Sequence, residues 1–109
     1  MSTTNIDLTA ATERAVHVRN LYHQLEQQSL GRKWTIEEDM LGLFTDVGLV
    51  GRQVMAAEGT WGKGGDTQAE LKHKLAESLW WILVLSDRLG VDISEAYTSF
   101  IDKLDTDLA

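Results

Sequence analysis

From Leu8 onward, apolar residues recur at intervals of three and four. Leu8, Ala11, Ala15, Val18, Leu21, Tyr22 and Leu25 fall on one face of a helix. The spacing predicts a helix from Leu8 to about Leu30, with Gly31 as a left-handed cap. A second helix is signalled at Thr35, where Glu38 three residues on completes a capping box. Its apolar face is Ile36, Met40, Leu43, Phe44, Val47, Val50 and Val54, and Gly59 is expected to close it. Gly42, Gly48 and Gly51 cost about 1 kcal/mol each relative to Ala inside a helix. Close approach of another backbone is the compensation they predict. A third helix is expected from Thr67, with Glu70 as a second box, to Leu89, where Gly90 stops it. Its block Leu79 to Leu85 is apolar on nearly every side, which predicts burial all round. A fourth begins after Asp92, with Glu95 three on, and carries Ile93, Ala96, Tyr97, Phe100, Ile101 and Leu104 on one face.

No segment alternates at period two for long enough to be a strand. The expectation is an all-α fold, a four-helix bundle with short loops. Residues 8–109 form its single domain, and 1–7 are disordered or weakly held. The one Gly-rich stretch, Gly59 to Asp66, lacks the spacing of a P-loop. It reads as a flexible linker, with a phosphate-holding lid as the alternative.

Composition narrows the function. At 109 residues the chain is one domain whose burial is only moderately efficient, so association with further copies would help. That need and the all-round apolar block predict a homo-oligomer, at least a dimer. The absence of Cys excludes disulfides, thiolate catalysis and Cys-based metal sites. A net charge of −7 argues against nucleic-acid or anionic-membrane binding. No apolar run reaches membrane-spanning length. The opening residues show no basic region followed by an apolar run, so the expected location is cytoplasmic.

Candidate chemistry lies between the second and third helices. Asp39 and Asp46 are seven apart, two turns along one face. Glu77 is the acid nearest the apolar block, and Lys74 shares its face three residues earlier. Hard cations such as Mg²⁺ take carboxylate oxygens and substrate phosphates as ligands, and bundles build such sites from facing helices. The plainer alternative is that these acids lie on a solvated face.

From Trp34 to Ala96 the chain resembles the MazG-like, all-α nucleoside triphosphate pyrophosphohydrolases. Thr45-Asp46-Val47-Gly48-Leu49-Val50 stands where that family has a Glu-x-x-Glu in a Glu-Val-Gly-Glu-Leu context. Lys74-Leu75-Ala76-Glu77 stands where it has Glu-x-x-Asp running into an apolar block. Ser86-Asp87-Arg88-Leu89-Gly90-Val91-Asp92 is similar to its Ala-Asp-Arg-Leu-Gly-Ile-Asp ending. The resemblance implies an oligomeric fold of that class and a Mg²⁺-dependent attack of water on a nucleoside triphosphate, releasing pyrophosphate. It makes Asp46 and Glu77 metal ligands and, with Lys74, the catalytic candidates.

Two of the family's four acids are replaced, by Leu49 and Lys74. An ammonium beside a Mg²⁺ site costs on the order of several kcal/mol where the site is partly dry. The simplest inference is that Lys74 pairs with Asp46 or Glu77 and sits where a metal would have been, leaving catalysis weak or absent. Where chemistry survives, Lys74 holds a phosphate as a point charge.

Three further residues are candidates for substrate binding. Trp34 would stack on a base, Trp81 would line the same cavity as Glu77, and Arg88 would reach a phosphate. Each has a structural alternative: packing at a helix junction for the tryptophans, and satisfying the helix dipole for Arg88. Trp80, turned about 100° from Trp81, suits the core or a subunit interface. His17, His23 and His73 show no metal spacing. The competing reading is a non-catalytic module that uses the same helices to dimerise or dock.

Overall fold

The computed structural model describes residues 7–60 and 67–109. All regular structure among them is helical: α1 Leu8–Leu30, α2 Ile36–Ala57, α3 Thr67–Arg88 and α4 Ile93–Leu108. No helix of the described residues is long and apolar enough to cross a membrane. The loop from Trp61 to Asp66, and with it the lid alternative, lies outside the described residues.

Local chemistry sets the helix ends. Asp7, read as part of a loose N-terminus, is the N-cap of α1: its carboxylate accepts from Ala10 N–H at 2.7 Å. Thr35 and Glu38 form the expected capping box, each side chain bonding the other's backbone N–H. Asp92 caps α4 by accepting from Glu95 N–H. Thr67, expected as a cap, is already helical.

Helices α2 and α3 close alike. Gly59 and Gly90 take positive φ, 79° and 71°. The N–H of the following residue, Thr60 or Val91, reaches back to the carbonyl of Met55 or Ser86. That is the Schellman closure, and the left-handed residue it needs is a glycine in both helices.

The chain divides into two compact units. The first comprises residues 7–33 with Leu83–Ala109: α1, α4 and the end of α3. Ala15, Leu83, Val84 and Leu85 are its buried apolar residues, and Arg19, also buried, forms a 2.7 Å ion pair with Glu26 two turns on. The second unit is Trp34–Ile82, with α2 and most of α3. It holds every candidate site residue except Arg88.

Burial departs from the sequence pattern in two places. The buried residues of α2 are Asp39, Asp46 and Gln53, a polar row at intervals of seven. Met40, Leu41, Phe44, Val47, Val54 and Met55 are exposed instead. The inward face of α2 is therefore polar and much of its apolar face is uncovered, so the solvated-face alternative fails for Asp39 and Asp46. Likewise the block Leu79 to Leu85 is not buried all round. Trp81, Leu83, Val84 and Leu85 are buried, but Leu79 is 50% and Ile82 42% exposed.

Candidate functional site

Asp46 sits midway along α2. Lys74, Glu77 and Trp81 follow one another on a face of α3 at spacings of three and four, which one helix turn brings into register. The Lys74 ammonium donates to Asp46 Oδ1 at 3.1 Å and to Glu77 Oε1 at 2.8 Å. The Trp81 indole N–H donates to Asp46 Oδ2 at 2.8 Å. Both oxygens of Asp46 thus accept a hydrogen bond, one from a cation and one from a buried ring. His73 Nε2 lies 3.3 Å from Glu77 Oε1, one turn before it.

The electrostatics follow from this geometry. The three charged side chains are partly shielded, with 12% of Asp46, 24% of Lys74 and 34% of Glu77 exposed. Two carboxylates share one ammonium. Hydrogen bonding to Glu77 raises the Lys74 pKa above its usual 10.5; burial works against this, and the bond and charge of Asp46 add to it. Lys74 is held charged through the neutral range.

Trp81 is positioned by what faces it. A Cβ on Gly42 would lie 2.7 Å from its ring, so α2 accepts the indole only because residue 42 is glycine. The close approach expected at the α2 glycines is therefore made by a side chain at Gly42, not by a backbone. Gly48 and Gly51 have open space beside them. Trp34 lies parallel to Trp81, the planes 6° apart and the centroids 6.2 Å. The two rings, with Glu38, Leu41, Thr45 and Asp46, line an open groove of about 400 Å³. Trp80 tilts against Trp81 at 4.6 Å.

The structure thus brings together Trp34, Asp46, Lys74, Glu77 and Trp81. Arg88 is in the other unit, in the last turn of α3. Among the described residues, no three His, Asp or Glu side chains gather as a metal-holding group.

Two residues of this region escaped the sequence reading. The helical pattern predicts a backbone neighbour for Gly42, and nothing in it marks the seat of an indole. Gln53, 3% exposed, carries no signal in the sequence beyond its interval of seven from Asp46. No family model matches the chain, and no curated protein or solved structure matches it either.

Proposed function

We propose that the chain is a nucleotide-handling protein of the MazG-like kind in which the Lys74 ammonium has replaced the divalent metal, so that it binds nucleotides with little or no turnover. The supporting observation is the position of Lys74 Nζ, within hydrogen-bond reach of Asp46 Oδ1 and Glu77 Oε1. Mg²⁺ requires near-octahedral oxygen ligands at about 2.0–2.1 Å. Here it would have to displace the ammonium and compete with the Trp81 N–H for Asp46. The residues present do not fit the ion. An ammonium held between two acids still has a third N–H to offer a phosphate oxygen. The Trp34–Trp81 groove beside it offers a ring face to a base, a contact worth about 1–3 kcal/mol in nucleic-acid systems.

Pyrophosphate release from a panel of ribo- and deoxynucleoside triphosphates, with Mg²⁺ and with Mn²⁺, tests the reading alongside thermal shift. A nucleotide-dependent rise in melting temperature, lost in Trp34→Ala, with turnover absent or very slow, is the expected result. Brisk turnover abolished by Glu77→Gln would establish an active pyrophosphohydrolase instead. Neither release nor a shift would leave the interaction module.

That second reading has its own support in α2. Leu41 is 65% and Phe44 73% exposed on a helix whose inward row is polar, and the open backbone at Gly48 and Gly51 suits close contact with another helix. A homo-oligomer joined through this face is compatible with either reading.

A further inference from the structure

α4 has no buried residue. It starts beside α1, where Thr9, Thr12 and Glu13 share a cavity with Ile93 and Ser94. Those two residues of its first turn are partly covered, and every residue from Glu95 to Ala109 is exposed. Helices in proteins draw most of their stability from packing an apolar face, and isolated ones of about 12–15 residues are marginal in water. At 16 residues α4 is near that limit, so its apolar face needs a cover.

The same unit carries a second uncovered stripe of equal length. Val18, Leu21, Tyr22 and Leu25 on α1 repeat at steps of three, one and three. Tyr97, Phe100, Ile101 and Leu104 on α4 repeat at the same steps. All eight are between 38% and 58% exposed. The two stripes therefore match each other in pitch and extent, and α1 of the same chain does not cover α4.

Charge sets the direction. Arg14 stands one turn before Val18, and Asp105 and Asp107 stand just beyond Leu104. Asp107 is paired with Lys103, whereas Arg14 and Asp105 have no ion pair among the described residues. Laid antiparallel, α1 of one copy brings Arg14 to Asp105 of the other. A second α4 in that place would bring acid against acid. The eight side chains offer on the order of 600–700 Å² per copy, against roughly 800 Å² per partner for a standard stable interface. Such a contact is weak, open at low micromolar concentration and filled at hundreds of micromolar or so.

We propose that the apolar faces of α1 and α4 form an interface with a second copy of this chain, in which each α4 lies antiparallel on the other copy's α1. Leu104 then lies over Val18, and Tyr97 over Leu25. The contact is two-fold, so each copy covers both stripes of the other. It lies in a different unit from the α2 face and rests on neither reading of the function.

Sedimentation equilibrium of Phe44→Glu, whose α2 face carries a charge, isolates this contact between about 5 and about 500 μM. The expected result is an average mass that rises from one chain towards two. The double variant Phe44→Glu, Phe100→Glu should stay at one chain throughout. A single-chain mass at the highest concentration, or a rise that Phe100→Glu leaves undiminished, overturns the proposal. The chain has no cysteine, so disulfide trapping gives a second readout that does not depend on Phe44→Glu folding. Val18→Cys mixed with Leu104→Cys under oxidising conditions should yield at least about threefold more mixed disulfide than Val18→Cys with Tyr97→Cys, the pair a parallel contact would join. Equal yields, or no mixed disulfide, also overturn it.

Discussion

At the scale of single residues, the account turns on one ammonium and the acids that hold it. Lys74→Met leaves the Asp46 and Glu77 carboxylates facing each other without a cation. Removing one partner from a shielded pair is worse than never having formed it. The variant should lose about 1–3 kcal/mol in urea denaturation, the lower part of this range reflecting the partial exposure of Glu77. The sign of the pH dependence follows from the raised pKa of Lys74, caused first by Glu77. A base whose folded pKa is raised contributes stability that is fully present below its unfolded value, near 10.5, and is lost as pH rises through the folded value. The stability gap between the unmodified chain and Lys74→Met should therefore hold at pH 9 and narrow above pH 10.5. A gap that stays constant to pH 11.5 would remove the charge from the explanation. Much of this was legible beforehand, since the three-residue step from Lys74 to Glu77 fixes their shared face. The indole N–H on Asp46 was not, because no spacing rule says which atom of a tryptophan across a helix pair will meet a carboxylate.

At the scale of elements, α2 is where pattern and structure part. Its start and end were written locally, in Thr35 with Glu38 and in Gly59, and local chemistry decides them. Which face turns inward is decided by the partner helix. The polar row Asp39, Asp46, Gln53 is buried, and the apolar residues beside it are not. An apolar stripe shows which side seeks cover, not whether the same chain supplies it. The glycines separate the two cases. Gly42→Ala should destabilise by about 1–3 kcal/mol, because its Cβ meets the Trp81 ring, although Ala favours the helix by about 1 kcal/mol. Gly48→Ala, with open space beside it, should gain up to about 1 kcal/mol in the isolated chain. Thermal melts of the pair at low protein concentration check both signs. Equal effects would mean that the Trp81 ring is not seated on residue 42.

For the whole molecule, the block Leu79 to Leu85, expected to be buried all round, leaves Leu79 and Ile82 exposed. Leu75, Leu79 and Ile82 on α3 and Leu41, Phe44 and Val47 on α2 remain at least two-fifths exposed. Those exposed apolar residues are the basis on which an interaction face is proposed. Light scattering at micromolar concentration should give at least twice the chain mass, and Phe44→Glu should return it to the mass of one chain without loss of helical signal. A single-chain mass for the unmodified protein would contradict the oligomer.

The central claim, that an ammonium has replaced a metal between Asp46 and Glu77, is tested most directly by calorimetric titration of Mg²⁺ and Mn²⁺. The titration compares the unmodified chain with the folded double variant Leu49→Glu, Lys74→Glu. The account predicts no saturable heat for the first and stoichiometric binding for the second, where four carboxylates would converge. Tight Mg²⁺ binding by the unmodified chain, or none by the folded double variant, would contradict it.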